Sequence, residues 1–164
     1  MSSFSRRAFC ISGFAAVSAC GFRPVYGPGG GGNRLRGAVR LEEPEGRDAF
    51  LFARRTEERL GRGPASARYA LSYAISIHAE AIAISPDNVT QRFNLRGRAT
   101  YALRDTTTGA VVQSGKVDNF NGYSASGSTV ATQAAERDAR ERLMTILADQ
   151  MIARLLAAAP DLPE

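Results

Sequence analysis

Hydrophobic side chains occupy every second position from residue 69 to residue 77, and small or polar side chains fill the positions between them. This two-residue period, with aromatic and β-branched members, predicts a β-strand with one buried face. The alternation moves by one residue after Ala81, because Ile82 and Ile84 continue it on even-numbered positions. The shift predicts a β-bulge near Ala79–Ala81. The apolar members of the regular part are Tyr69, Leu71, Tyr73, Ile75 and Ile77.

Two more strands follow the turn sequence at residues 85–88. The second strand alternates in the same way, and a hairpin loop at 104–109 leads to a third strand over 110–119. Short connections predict an antiparallel meander over 67–119, and a weaker alternation at 37–42 predicts a short strand before it. The apolar positions of the second strand are Phe93, Leu95, Ala99, Tyr101 and Leu103.

Two stretches have the period of an amphipathic helix. The first runs over 48–60, with Asp48 as its N-cap and Gly61 at its end. The second runs from Thr129 to Ala158, with Ser126 or Ser128 at its N-cap. Its apolar stripe is formed by Ala139, Leu143, Ile146, Leu147, Met151 and Leu155.

The order of elements is therefore β-α-β-β-β-α. A sheet with one apolar face and two amphipathic helices predicts an α+β fold, a two-layer sandwich. The sheet is expected to be four-stranded and mostly antiparallel, with both helices packed on one face.

The first nineteen residues are typical of an export signal rather than of a folded segment. Arg6 and Arg7 precede an apolar run of signal-peptide length at 8–19, which ends in Val17-Ser18-Ala19-Cys20. Small residues before a cysteine favour lipoprotein processing, in which Cys20 receives a diacylglycerol and an N-acyl chain. An ordinary cleaved signal or a buried cysteine is the alternative. Residues 5–9 resemble a twin-arginine signal, and the general export route is equally open.

The remaining cysteine usage agrees with a lipid anchor. Cys10 lies in the segment to be removed, so Cys20 would be alone in the mature chain and could form no internal disulfide. Acyl chains such as palmitate on Cys20 would anchor the protein stably. Gly21 is not the aspartate that retains lipoproteins in the inner membrane, which favours the outer membrane. After Cys20 we expect no stretch that is long and apolar enough to cross a membrane.

Three segments follow from this division of the chain. Residues 1–19 are the predicted lipoprotein signal peptide. Residues 20–36 are the lipidated N-terminus and a glycine-rich tether, which includes four consecutive glycines at 29–32. Residues 37–160 form a single α+β domain, since the length allows one core rather than two.

The formal net charge of +5 comes almost entirely from arginine, because Lys116 is the only lysine. Arginine pairs well with phosphate, so the outer face of the sheet is a candidate surface for an anionic headgroup. A solvated strand face, or the arginine content of a GC-rich genome, explains the same residues. An exported lipoprotein is not expected to bind nucleic acid. The candidate cations are Arg92, Arg96, Arg98, Arg104 and Lys116.

Catalytic constellations are missing from the sequence. His78 is the only histidine and is expected at the surface of a strand, so neither a zinc site nor a nucleophile–base pair is predicted. We expect a protein that is not an enzyme and has no metal or cofactor. Aromatic residues instead mark possible partner contacts, Phe22 and Tyr26 near the anchor and Phe120 and Tyr123 in a loop predicted at 119–128.

Residues 20–26, Cys-Gly-Phe-Arg-Pro-Val-Tyr, resemble the start of mature LPS-assembly lipoproteins of the LptE family, alphaproteobacterial type. Residues 119–143 also resemble the family's stretch between the last strand and the long helix. The resemblance implies an outer-membrane lipoprotein that plugs and helps to assemble the LptD β-barrel, with which it inserts lipopolysaccharide into the outer leaflet. Only Cys20 matches a functional residue of the family. The alternative is a periplasm-facing lipoprotein that serves as binding subunit of another lipid or solute transport system.

Overall fold

The computed structural model describes residues 27, 31–84, 90–125 and 127–163. The predicted signal peptide at 1–19, Cys20, Phe22 and Tyr26 lie outside the described residues. The elements in chain order are α1 (Gly32–Leu35), β1 (Val39–Leu41), α2 (Gly46–Leu60), β2 (Tyr69–Ile84), β3 (Thr90–Asp105), β4 (Val111–Ser124), α3 (Thr129–Ala158) and a 3₁₀ turn (Ala159–Asp161). The predicted α+β fold is confirmed, with the very short α1 as an addition.

The four strands form one mixed sheet in the order β1-β2-β3-β4. β1 runs parallel to β2 and pairs Val39 with Tyr69. The crossover connection between these two strands contains α2. The other pairs are antiparallel, with Tyr73 opposite Tyr101 and Ala99 opposite Val117. The predicted meander is therefore correct, and the short first strand lies at its β2 side.

The register shifts lie between Ala81 and Ile84, slightly later than the predicted bulge. Ala79 pairs with Leu95 and Ala81 with Phe93, so both alanines continue the inward-facing phase. The sequence pattern misplaced the bulge because the apolar isoleucines at 82 and 84 obscured an alternation that two small alanines maintain.

β4 continues to Ser124, so the loop predicted at 119–128 is wrong for residues 119–124. Tyr123 pairs with Phe93 in the ladder, and their rings stack with centroids 5.3 Å apart. The Asn121 side-chain amide donates to the Ala139 carbonyl of α3 at 3.1 Å. A polar residue on the inner face is thus satisfied by the helix, which makes a strand possible where the composition is typical of a loop.

The C-termini of α2 and α3 and the N-terminus of α3 agree with the sequence, and the N-terminus of α2 differs. Ser128 caps α3, since its hydroxyl accepts a hydrogen bond from the Ala131 N–H at 3.2 Å. α2 instead begins at Gly46, which has a positive φ of 83°, and Asp48 lies inside the first turn rather than at the cap. Asp48 accepts a hydrogen bond from Arg140 of α3 at 3.0 Å and so joins the two helices.

Both long helices pack on the inner face of the sheet, where the core lies. Leu143 and Leu147 of α3 sit directly over Gly97 of β3, whose position leaves no room for a larger residue. Fully burying one such leucine stabilises the fold by about 2 kcal/mol. Ile146 was predicted in the apolar stripe but is 36% exposed, and the stripe continues through Met144, Ala148 and Ile152 instead.

The folded part begins before residue 37, where the sequence placed the end of the tether. Leu35 of α1 is fully buried in the core. Gly31 lies so close to Pro160 that a Cβ at this position would come within 2.8 Å of the proline ring. The α1 turn therefore packs against the chain just after α3.

One helical stretch, Thr129–Asp161, is long and apolar enough to cross a membrane by length and composition, contrary to the expectation from the sequence. Half of its most apolar window is buried in the core. This burial is typical of the central helix of a folded domain.

Candidate lipid- and protein-binding surfaces

The outer face of the sheet carries no helix among the described residues. Alternate residues of β2, β3 and β4 point to this face, and register places them in rows across the three strands. Small side chains fill the row of Ser72, Ala102 and Ser114, which lies next to the row that contains Arg104. Charged side chains become frequent in the rows towards the start of β3, beginning with the row in which Lys116 of β4 is opposite Thr100.

The five predicted cations all point to the outer face but do not form one compact site. Arg92 and Arg104 are twelve residues apart on β3, which corresponds to about 40 Å along a strand. Arg104 instead donates to the Gly109 carbonyl in the hairpin loop at 3.5 Å. The structure therefore separates these two arginines from a smaller group, named here the central basic patch, which consists of His78, Arg96, Arg98 and Lys116.

Register brings the central basic patch together. His78 is directly opposite Arg96, Arg98 is directly opposite Asp118, and Lys116 is one row away. All four side chains are exposed. Two carboxylates reduce the charge, because Arg98 binds Asp118 at 2.5 Å and Arg96 lies 3.5 Å from Glu80. Exposed pairs of this kind are weak, so an anionic ligand could replace either carboxylate.

The predicted aromatic contacts Phe120 and Tyr123 lie on opposite faces of β4. Phe120 is opposite Arg96 on the outer face and is 65% exposed. Tyr123 packs against the core on the inner face, where burial raises the pKa of its hydroxyl. The sequence analysis grouped them because it assigned both to a loop. In a strand, two residues that are three positions apart point to opposite faces. Phe120 remains a candidate contact, and Tyr123 is a packing residue.

A groove of about 650 Å³ lies beside β2, and sequence reasoning missed it. Its floor is the β2 segment Tyr73–Ile77, and its walls are the turn at 42–49 and Arg140 of α3. The acidic run Glu42-Glu43-Pro44-Glu45 was the available signal, because it concentrates negative charge in a basic chain. Burial raises the pKa of Tyr73 to about 12, and the carboxylates of Glu42 and Glu57 add to this shift.

The comparisons with known proteins identify the family. The family model described as LptE, lipopolysaccharide-assembly, matches residues 35–155. The chain belongs to the LptE family. Membership assigns it a role in lipopolysaccharide assembly, and the family is a non-enzymatic one. No curated protein has a sequence that matches the chain.

Solved structures share the fold of this LptE-family chain at low sequence identity. A lipoprotein structure from Caulobacter crescentus CB15 has a TM-score of 0.66 at 23% identity and covers 79% of this chain and 96% of its own. A minor lipoprotein from Acinetobacter baumannii has a TM-score of 0.57 at 16% identity, covering 76% and 94%. The rare lipoprotein B from Shewanella oneidensis has a TM-score of 0.54 at 13% identity, covering 74% and 92%. These likenesses establish the α+β architecture.

Proposed function

We propose that this LptE-family protein is a lipid-anchored, catalytically inert subunit of the outer membrane that faces the periplasm. In this proposal it plugs and helps to assemble an LptD-type β-barrel, and the two proteins insert lipopolysaccharide into the outer leaflet together. The observation that carries the proposal is the family match, which spans the folded domain from α1 to the last turns of α3.

The N-terminal sequence supports the anchor. A small-residue sequence ending in Cys20 follows a short apolar run, and Gly21 follows the cysteine. Acylation of Cys20 would attach the N-terminus to the bilayer, and the intervening segment would let the domain reach a partner in the same membrane. The lipoprotein descriptions of the structural neighbours agree with this assignment.

The test of the proposal is purification of the tagged protein from detergent-solubilised membranes, with identification of the partner. We expect a large β-barrel of the LptD type to co-purify, and lipopolysaccharide with it. Recovery of inner-membrane transporter subunits alone would contradict the proposal and favour a binding subunit of another transport system. The matched control is Cys20→Ala, which should remove the protein from the outer-membrane fraction. Retention of this variant after a high-salt wash would show that acylation is not what anchors it.

The central basic patch is the proposed contact for the phosphates of lipopolysaccharide. Arg96, Arg98 and Lys116 present three cations in three consecutive rows of the outer face, and an exposed Phe120 lies next to Arg96. Guanidinium groups bind phosphate bidentately, and the aromatic ring can contact an acyl chain.

Replacing Arg96, Arg98 and Lys116 together with glutamine should weaken lipopolysaccharide binding by about tenfold or more in a vesicle or micelle assay. The matched control replaces three exposed arginines of the helical layer with glutamine and so removes the same charge from the other side of the sheet. These control positions are Arg59 of α2 and Arg137 and Arg142 of α3. Equal weakening by both triple variants would leave only general charge attraction and would contradict a specific contact.

A further inference from the structure

Among the described strands, only the short β1 pairs with the edge of β2 that faces away from β3. β1 pairs only with Tyr69–Leu71, and the last bond on this side runs from the Glu42 N–H to the Leu71 carbonyl at 3.0 Å. The chain then turns away into α2. Within the described residues no strand continues the pairing beyond Leu71, although β2 itself continues to Ile84.

The strand geometry defines which backbone N–H and C=O groups of β2 have no partner strand among the described residues. Neighbouring residues of a strand direct their N–H and C=O groups to opposite sides. Tyr69 and Leu71 bond towards β1, so Tyr73, Ile75 and Ile77 direct their backbone groups to the same open side. These residues form the floor of the groove, with N–H and C=O groups that repeat about every 7 Å. Only another extended polypeptide presents donors and acceptors with this spacing.

The walls of the groove select for charge. Glu42, Glu43 and Glu45 are exposed and form no ion pair with any residue in the described part of the chain. The cations at the groove are Arg47, at the start of α2, and Arg140, which is held by Asp48 and Glu136. The groove is therefore acidic in a chain whose net charge is +5. A segment carrying lysine or arginine would complement it.

We propose that the groove beside Tyr73–Ile77 is a docking site for an extended, basic segment of a partner protein, which adds to the sheet as a strand in continuation of β1. The segment pairs through its main chain with β2 and places basic side chains against the wall at residues 42–45. A second copy of this chain fits poorly, since a two-fold arrangement would bring the same carboxylates together. The inference stands apart from the proposed function, because it concerns a local strand edge and not the identity of the barrel.

The probe for the test is a dye-labelled, end-capped peptide of eight residues in which lysine and valine alternate, titrated into the full chain in non-ionic detergent. Fluorescence anisotropy should show saturable binding that weakens as salt is added. Hydrogen exchange of the protein amides should slow at Tyr73, Ile75 and Ile77. A peptide with glutamate in place of lysine, and one with N-methylated alternate amides, should not bind.

The matched variants separate this site from general attraction. Glu42→Lys with Glu43→Lys should weaken binding of the lysine–valine peptide by about tenfold or more. Asp118→Lys with Asp138→Lys changes the net charge equally, at exposed ion pairs on the outer sheet face and on α3, and should weaken it less than about threefold. Absence of binding, equal binding of the N-methylated peptide, equal loss in both double variants, or protection at other amides would each overturn the inference. None of these outcomes depends on whether an LptD-type barrel co-purifies.

Discussion

The two edges of the sheet differ in how their backbone groups are hydrogen-bonded. At the β4 edge, Arg154 of α3 donates to the Lys116 carbonyl at 2.5 Å, and the Asn119 side chain accepts from the Phe120 N–H at 2.8 Å. At the β2 edge, β1 covers three residues and leaves Tyr73–Ile77 open beside an acidic groove. An unprotected edge invites pairing with other chains, and proteins usually block it. Side chains thus bond two backbone groups at the β4 edge, whereas within the described residues none bonds the β2 edge at Tyr73–Ile77, and this difference is consistent with a use for the β2 edge.

Gly97→Val should have the largest effect on stability, because it disturbs the packing of α3 on the sheet. A Cβ at this position would come within 2.9 Å of Leu143 and 3.0 Å of Leu147, so α3 must shift away from β3. We expect a loss of about 1–3 kcal/mol in the free energy of unfolding, measured by urea denaturation. Because α3 carries Arg154, hydrogen exchange at the β4 edge should also accelerate, while the already open β2 edge should change little.

Gly122→Val is the control for this substitution. It lies on β4 and has only ordinary contacts, the nearest at 3.5 Å, so a side chain fits there. It should change the free energy of unfolding by less than about 0.5 kcal/mol. If both valine variants lost the same stability, the contact between Gly97 and α3 would not be what holds the helix on the sheet.

The parts of this fold that local patterns determine were predictable from the sequence. Period-two alternation identified the inward residues of β2 and β3, and Ser128 with the helical stripe gave the bounds of α3. The end of β4 was not predictable in this way. Asn121 is acceptable on the inner face only because the Ala139 carbonyl of a distant helix accepts its hydrogen bond.

The candidate sites likewise combine features that local sequence patterns determine with features that depend on contacts between distant segments. The sequence placed Arg92, Arg96 and Arg98 correctly on one face of β3, but their spacing along the strand and their carboxylate partners depend on strand register. The groove beside β2 depends on where β1 ends and on how α2 turns away from it. Those are contacts between segments about thirty residues apart in the chain, and no local pattern encodes them.

Arg154→Ala should free the Lys116 carbonyl at the β4 edge and so make this part of the edge available for pairing. Losing the hydrogen bond to the Lys116 carbonyl should cost about 0.5–1.5 kcal/mol in the free energy of unfolding. The exposed edge should also promote self-association, seen as a concentration-dependent rise in sedimentation coefficient. Arg137→Ala removes another exposed α3 arginine, distant from Lys116, and should have neither effect. A monomeric, fully stable Arg154→Ala protein would mean that this arginine does not block the edge.

Asp105 lies at the end of β2 that β1 covers, where it pairs with Tyr69 in the ladder. Its substitution tests how this end of the sheet is stabilised. Its carboxylate accepts hydrogen bonds from the Thr107 and Thr108 N–H groups at 2.8 and 3.2 Å, and these bonds, with Arg68 nearby, lower the pKa of Asp105. A lowered folded-state pKa stabilises the fold fully above the ordinary value of about 4, and this stabilisation is lost as the pH falls through the folded-state pKa. Asp105→Asn should therefore flatten the fall in urea midpoint below about pH 4. Parallel curves for the two proteins would contradict this role.

Tyr73→Phe should have the smallest effect at neutral pH, although the residue lies in the floor of the groove. The hydroxyl lies 3.4 Å from the Ala49 carbonyl, so its loss should cost less than about 1 kcal/mol. The informative measurement is a tyrosinate absorbance titration, in which the difference between the two proteins isolates Tyr73 and should have its midpoint near the pKa of about 12. Because the folded-state pKa is raised, the neutral hydroxyl stabilises the fold fully below about pH 10, and this is lost as the pH rises through the folded-state pKa. Glu42→Gln should move the midpoint down, since the Glu42 carboxylate contributes to the shift. An unchanged midpoint would mean that the acidic wall does not act on the strand edge, and the charge selectivity assigned to the groove would lose its basis.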